Sequence, residues 1–195
     1  MNGDHRETSC RVVLLLAALL TLAACTGGSP GTPPPSTASG TTSASVPASP
    51  APTAPVQEAT PSSAVEFVKY FWALYNYAYA TYDTKPLEAI SDKKCDSCKK
   101  LIEDVHRIAA DGTVIKGFEL TVLEAVSPDI EVKTGTLVVA SLQQQKGTAV
   151  APDGSSTALP GFKSVRSTTA LRWDGTWHIE ALNTESKTSK PWPSE

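Results

Sequence analysis

A proline-rich, nearly uncharged block divides the chain and confines its folded structure to the residues that follow. Residues 26–63 contain nine of the 15 prolines in the 195-residue chain, and Glu58 is their only charged side chain. Serine, threonine, alanine and glycine fill most other positions, so there is no apolar period to bury. Such a segment cannot offset the conformational entropy that it would lose on ordering. We therefore expect residues 25–63 to form a disordered tether.

A short apolar run precedes this tether. Residues 12–24 carry no charge, and Arg6 and Arg11 lie before them. A membrane-spanning helix needs about 20 apolar residues, so this shorter run is typical of the hydrophobic region of a signal peptide. The run ends in Leu22-Ala23-Ala24-Cys25, which resembles the lipobox of bacterial lipoproteins at all four positions.

The lipobox resemblance implies that residues 1–24 are removed as a lipoprotein signal peptide. Cys25 would then carry a thioether-linked diacylglycerol, and in many such proteins an acyl chain such as palmitate is added to the new amine. Each buried methylene contributes about 0.8 kcal/mol, so two or more chains anchor a protein stably. This predicts a lipid anchor that holds the protein on the extracellular face of the cell membrane. The alternative is an ordinary secretory signal with an incidental cysteine.

The charge balance gives no reason to expect nucleic acid as a partner. The chain has 17 basic and 20 acidic side chains, a formal net charge of -3. Removing residues 1–24 takes away two of each sign and leaves the net charge unchanged. A mildly acidic protein lacks the attraction for phosphate that nucleic acid binding needs. The sequence also has no phosphate-binding glycine loop, H-E-x-x-H or G-x-S-x-G motif, so we predict no cofactor.

After residue 63, apolar residues recur at the spacing that is typical of a helix. Ser63-Ala64-Val65-Glu66 matches a capping box, which predicts a helix over residues 64–82. The following caps and stops predict a short helix ending near Ile90 and a third helix over residues 92–110, closed by Gly112. On the first helix, apolar and aromatic side chains recur every three or four residues; they are Val68, Phe71, Trp72, Tyr75, Tyr79 and Tyr82.

After Gly112 the spacing between apolar residues changes from about four positions to two. Residues 113–126 alternate as one half-buried strand would, with Gly117 as a candidate bulge. Residues 152–161 are predicted to form a loop, and Asp174-Gly175 is typical of a hairpin turn. Three further strands are predicted over residues 136–144, 162–173 and 176–182.

This order of elements predicts an α+β domain over residues 64–184. Helices come first and an antiparallel meander follows, so we expect the helices to pack on one face of a curved antiparallel sheet. About 120 residues are enough to bury a hydrophobic core. Residues 185–195 are expected to be a disordered tail.

The plan resembles the nuclear-transport-factor-2-like (NTF2-like) cone fold, in which a long N-terminal helix lies across the concave face of a bent sheet. The closing segment Leu171-Arg-Trp-Asp-Gly-Thr-Trp-His-Ile179 is similar to the last hairpin of many such domains. More narrowly, the chain resembles a family of uncharacterised lipoproteins from high-GC Gram-positive bacteria, which implies a fold and an envelope location but no mechanism. That second resemblance rests on Phe67-Val-Lys-Tyr-Phe71, Asn76-Tyr-Ala-Tyr79, Leu87 and Cys95-Asp-Ser-Cys98.

Cys95 and Cys98 are the only cysteines after Cys25. In an oxidising envelope we expect them to form a disulfide that fixes the start of the third helix. A redox site is the alternative, but thioredoxin-like sites have a strand before the C-x-x-C. A structural zinc site needs four ligands, and His106 and His178 are the only other soft donors in the domain. We therefore predict no metal.

The first helix supplies the candidate ligand contacts. Eight of the 13 aromatic residues lie between residues 67 and 82, including all five tyrosines. Core packing explains most aromatic stripes. A buried hydroxyl also needs a partner, so some of these side chains could instead face a ligand cavity. Our candidate ligand-binding residues are Tyr75, Tyr79 and Trp72, and the sequence leaves open which of them face inward.

No catalytic set is visible, so no catalytic residue is predicted. In the strand predicted over residues 113–126, Glu119 alternates with the apolar side chains and so is expected on the opposite face. Lys116 and Glu124 lie near the ends of that strand. The favoured function is a non-catalytic binding or interaction domain for an envelope protein, a lipid or a wall component. One alternative is an NTF2-like enzyme of isomerase or hydrolase type that acts on a small hydrophobic substrate. Another is an accessory domain for wall synthesis or lipid transport, by fold-level analogy.

Overall fold

The computed structural model describes residues 49–128 and 134–185, and within them three helices precede seven strands. The predicted leader, Cys25 and residues 186–195 of the predicted tail lie outside the described residues. The helices are α1 (Pro61–Thr81), α2 (Lys85–Ile90) and α3 (Asp96–Ala110). The strands are β1 (Val114–Lys116), β2 (Leu120–Val126), β3 (Gly135–Gln144), β4 (Gly147–Val150), β5 (Ser156–Leu159), β6 (Phe162–Trp173) and β7 (Trp177–Thr184).

The described strands form two antiparallel sheets. The larger sheet has the order β2-β3-β6-β7, and the smaller has the order β1-β4-β5. The prediction of a mixed α+β fold with an antiparallel sheet is confirmed, but the strands divide between two sheets where one was expected. β3 and β6 begin and end within one residue of their predicted bounds, and the loop ending at Gly161 and the Asp174-Gly175 turn mark the two ends of β6.

The core lies between α1 and the larger sheet. Phe67, Phe71 and Leu74 are almost completely buried on α1, and α1 contacts β2 and β3. Leu142 on β3 and Ile179 on β7 are buried with them in one apolar cluster. Full burial of a side chain of this size contributes about 1.5–3 kcal/mol. The predicted aromatic stripe is therefore mainly a core-forming surface.

α1 begins three residues before the predicted position, so the predicted capping box is wrong. Thr60 is the N-cap, and its hydroxyl accepts a hydrogen bond from the Ser63 backbone N–H at 3.2 Å. Pro61 follows as the first helical residue, where its fixed φ suits the helix. Ser63 is instead buried inside the first turn. Its Oγ accepts hydrogen bonds from the backbone N–H of Glu58 at 2.9 Å and from Trp177 Nε1 at 3.3 Å.

The folded domain includes residues before the predicted boundary at residue 64. The Trp177 backbone N–H donates to Gln57 Oε1 at 2.6 Å, and its indole N–H donates to the Glu58 carbonyl at 3.0 Å. Trp177 is 1% exposed, so these bonds attach the chain to the interior of the domain. The folded domain therefore includes Gln57 and Glu58, which the sequence analysis had assigned to the disordered tether of residues 25–63.

α3 begins at Asp96, where the sequence had placed its start at Asp92. The N-cap is Cys95, whose sulfur accepts from the Cys98 backbone N–H at 3.2 Å, and Cys95 and Cys98 form the predicted disulfide. Asp92 instead closes a turn, because its Oδ1 accepts from the Lys94 N–H. The predicted end at Ala110 is confirmed.

The single strand predicted over residues 113–126 is wrong. Gly117 has φ +69°, and the chain turns there, so that β1 pairs with β4 and β2 pairs with β3. A register shift after Val122 then reverses the alternation in β2. Ala125 consequently packs on the core, and Val126, which an uninterrupted alternation from Leu120 and Val122 would turn inward, is 41% exposed.

The smaller sheet contains strands that the sequence analysis missed. β4 was not predicted, and β5 lies within the predicted loop 152–161. Both are four-residue strands without a clear apolar alternation, which leaves little period to detect. No helix among the described residues is long and apolar enough to cross a membrane.

Candidate functional site

An open cavity of about 430 Å³ lies between the C-terminal half of α1 and the segment that joins β1 to β2. We call it the α1 groove. Ligand pockets in proteins are usually between 300 and 1,000 Å³, so this volume suits a small molecule or a short peptide segment. Its lining residues are Ala73, Asn76, Tyr77, Tyr79 and Ala80 from α1, Ile115 from β1, Gly117, Phe118 and Glu119 from the joining segment, and Ser49, Pro50 and Pro52.

One end of the groove is fixed by Asn76. Its Nδ2 donates to the Leu120 carbonyl at 2.7 Å, and its Oδ1 accepts from the Leu120 backbone N–H at 2.9 Å. Both polar groups of the amide are thereby used in holding the first residue of β2 against α1. Asn76 therefore positions the groove wall, and each of its two polar groups is already engaged in one hydrogen bond.

The other end is fixed by Tyr82, the residue that terminates α1. Its hydroxyl donates to the Thr113 carbonyl at 2.9 Å and accepts from the Ile115 backbone N–H at 3.3 Å. Tyr82 adopts φ 63°, which is uncommon for a residue with a side chain and ends the helix where a glycine usually would. The segment between these two contacts forms one wall of the groove.

Aromatic rings form the inner surface between these contacts. The rings of Tyr79 and Phe118 have centroids 5.7 Å apart, and those of Tyr75 and Tyr79 are 4.7 Å apart. Tyr75 is 9% exposed, and its ring packs against that of Tyr79. Burial raises the pKa of both hydroxyls above the usual value of tyrosine, so both stay neutral at physiological pH.

The third wall of the groove comes from the chain before α1. Pro50 and Pro52 line it, and residues 50–58 belong to no helix or strand. Pro52 and Pro55 are half-buried while Ala51, Thr53 and Ala54 are exposed. A proline-rich segment outside helices and strands favours the extended polyproline II conformation.

The structure separates the three predicted ligand residues. Tyr79 lines the groove, Tyr75 packs behind it, and Trp72 is 4% exposed within the core. The Trp72 indole N–H is buried without a hydrogen-bond partner in the described part of the chain. The sequence analysis missed Phe118 and the two prolines. Phe118 follows Gly117, whose need for a positive φ was the one available signal of a turn here.

The ionisable groups considered in the sequence analysis do not converge in the groove. Lys116, Glu119 and Glu124 are all exposed, as expected for Glu119, which is the only carboxylate among the described lining residues. Within residues 49–128 and 134–185, no cluster of three or more histidine, cysteine, aspartate or glutamate side chains could hold a metal ion. The groove therefore offers rings and apolar atoms to a ligand, with one charge at its edge.

A charged cluster lies elsewhere, at the end of the larger sheet. Arg172 pairs with Asp174 and with Asp92, the latter at 3.3 Å. The hydrogen bond from Arg172 is the main cause of the lowered pKa of Asp174, and the backbone N–H of Lys94 is the main cause of the lowered pKa of Asp92. These contacts join the turn before α3 to the β6–β7 hairpin.

A second polar cluster joins α2 to α3. The Thr84 hydroxyl donates to Glu88 Oε1 at 2.6 Å and lies 2.8 Å from His106 Nε2. Thr84 is 3% exposed, so its hydroxyl is occupied and shielded from an incoming substrate. This arrangement satisfies a buried hydroxyl between two helices.

Comparisons with known proteins place the chain in a family without an assigned activity. No curated protein matches it. Among solved structures it is similar to the intermembrane space region of the chloroplast protein ARC6, with 15% identity and a TM-score of 0.47, over 67% of this chain and 98% of that one. Residues 35–183 match the family of unknown function DUF6318, and since this match spans more than half of the chain, the protein belongs to that family.

Proposed function

We propose that the protein is an exported, lipid-anchored binding protein whose α1 groove holds an uncharged, largely apolar ligand. The observation that carries this proposal is the preformed groove itself. Asn76 and Tyr82 hold its two ends through four hydrogen bonds to backbone groups, and the rings of Tyr79 and Phe118 pack against each other with centroids 5.7 Å apart. A wall held in this way keeps its shape without a ligand, which lowers the entropy cost of binding.

The lining chemistry supports binding over catalysis. General acid–base catalysis usually needs a positioned group whose pKa is tuned near the working pH. Glu119 is the only described carboxylate in the groove, it is exposed, and no described histidine, cysteine or lysine lines the groove beside it. The two tyrosine hydroxyls with raised pKa are held neutral by burial, which suits packing and hydrogen bonding more than proton transfer.

We further propose an NTF2-like fold for the domain. The support is the placement of α1, a 21-residue helix that contacts β2 and β3 of a four-stranded antiparallel sheet. The lipid anchor is proposed from the Leu22-Ala23-Ala24-Cys25 sequence. A tether after such an anchor would hold the groove away from the membrane, where envelope proteins, lipids and wall components are the available partners.

The binding proposal can be tested with N-phenyl-1-naphthylamine, a neutral dye whose fluorescence rises in apolar sites. We expect saturable binding to the purified full chain carrying Cys25→Ala, which has no lipid to bind the dye. Ala80→Arg places a long charged side chain in the groove from an exposed helix position and should abolish that binding. Ala109→Arg, at an exposed position of α3, is the matched control and should bind like the parent. Equal binding by both variants, or no saturable binding by the parent, would contradict the proposal.

The anchor is tested separately by intact mass spectrometry of the protein from its native membrane. We expect a polypeptide that begins at Cys25 and carries a diacylglycerol. In Triton X-114 partitioning the native protein should enter the detergent phase, and the chain from residue 26 onward should enter the aqueous phase. An unmodified thiol at Cys25, or an uncleaved leader, would overturn this part of the proposal.

A further inference from the structure

We propose that the α1 groove recognises an extended proline-rich segment of another polypeptide. This inference rests on the proposed function, because it names the ligand class of the same site. The juxtaposition behind it is a groove lined by two packed aromatic rings, Tyr79 and Phe118, whose third wall is made by prolines of the chain itself.

The chain's own prolines show how such a ligand fits. Pro50 and Pro52 line the same cavity as Tyr79 and Phe118, so the groove already combines proline and aromatic side chains. Pro52 is half-buried, Pro50 is exposed, and residues 50–58 belong to no helix or strand. Proline-rich segments of this kind favour the extended polyproline II conformation, which has no internal hydrogen bonds.

The α1 groove has enough free volume to admit a further segment of polypeptide. The wall prolines leave about 430 Å³ free beside them, enough for a few residues of a second extended chain. Proline-rich segments bind to aromatic-lined grooves with little loss of conformational entropy, because their backbone is already extended. The polar groups of Asn76 are bonded to Leu120, and the Tyr77 hydroxyl donates to Asp83, so ring packing dominates the contact surface.

Charge supports an uncharged ligand. Glu119 is the only charged side chain among the described lining residues, and it is exposed at the edge. The segment already seated on the groove, Ser49 to Val56, has no charge at all. A peptide of similar composition would meet no repulsion and would leave no buried charge unpaired.

The test uses the hexapeptide acetyl-Pro-Ala-Pro-Thr-Ala-Pro-amide, which has the sequence of residues 50–55, and the same peptide with its three prolines replaced by alanine. Binding to the full chain with Cys25→Ala is measured by calorimetry and by displacement of N-phenyl-1-naphthylamine. We expect the proline peptide to bind at least tenfold more tightly than the alanine peptide. Ala80→Arg should lose this binding, and Ala109→Arg should retain it.

A second protein variant removes competition from the chain's own segment. The Pro50→Ala/Pro52→Ala variant lacks the two wall prolines. The proline peptide should bind to this variant if the chain's own prolines compete with it, and to the parent if they do not. Equal affinity for the two peptides overturns the inference. Dye binding in the groove without peptide binding to either protein also overturns it, and shows an apolar small molecule or lipid as the ligand class. Absence of both dye and peptide binding overturns the proposed function as well.

Discussion

The Asn76 side chain binds both backbone groups of Leu120, a residue 44 positions later in the chain. The amide thus supplies one hydrogen-bond donor and one acceptor to the first residue of β2, as the backbone of a neighbouring strand would. The contact fixes the distance between α1 and the start of β2, and the groove wall at Phe118 depends on that distance.

Replacing Asn76 by alanine should destabilise the domain by about 2 kcal/mol, because the Leu120 N–H and C=O would lose their partners at a site that is 6% exposed. Urea unfolding followed by circular dichroism measures this change. Lys69→Ala, at an exposed position of the same helix, is the control and should change the free energy of unfolding by less than about 0.5 kcal/mol. Equal effects of the two substitutions would show that the Asn76 contact adds nothing.

Gly117→Ala should destabilise the domain by about 1 kcal/mol, since φ +69° is unfavourable for a residue with a side chain. Gly117→Asn should cost less, because asparagine tolerates this conformation better than alanine. Thermal unfolding of both variants gives the comparison. An alanine variant as stable as the parent would mean that the turn between β1 and β2 does not require the left-handed conformation.

The buried tyrosines predict a loss of stability in alkali. Burial raises the pKa of Tyr75 and of Tyr79 in the folded state above the value of 10.0 that applies when the chain unfolds. Above pH 10 the unfolded chain therefore loses these protons first, and the free energy of unfolding falls as pH rises. Below pH 10 both states keep the protons, so these groups cause no change there.

Urea midpoints measured between pH 9 and pH 11.5 test this linkage. Tyr75→Phe removes the titrating hydroxyl and keeps the ring, so its midpoint should fall less steeply than that of the parent. Parallel pH profiles for the two proteins would contradict the assigned burial of the Tyr75 hydroxyl.

The disulfide should contribute modestly to stability. Cys95 and Cys98 close a very short loop, so Cys95→Ala/Cys98→Ala should lower the free energy of unfolding by about 2 kcal/mol. The same variant removes the sulfur that accepts from the Cys98 N–H at the start of α3. Denaturant unfolding of the oxidised parent and the variant provides the measurement, and identical midpoints would exclude a stabilising role.

Turn residues and one regular period made part of this fold predictable. The loop ending at Gly161 and the Asp174-Gly175 turn located β6, and the three- to four-residue period located α1 apart from its start. The start was missed because Thr60 and Ser63 are both good caps, and only the burial of Ser63 against Trp177 decides between them. Local sequence does not contain that tertiary contact.

The candidate site was only partly predictable for a related reason. Tyr79 could be named from the aromatic stripe, but the inward direction of Tyr75 and Trp72 depends on the neighbours that cover them. Phe118 faces the groove because the chain turns at Gly117, whereas its sequence parity fits an uninterrupted strand equally well. The wall prolines lie in a segment whose composition predicts no fixed structure.

The most direct test of the groove as the binding site is a set of intermolecular nuclear Overhauser effects between the proline hexapeptide and the protein. We predict contacts from the proline ring protons to the Tyr79 and Phe118 rings, and none to Leu137, which is 46% exposed on the larger sheet. Contacts to Leu137 without any to Tyr79 or Phe118 would contradict the account and place binding on the sheet.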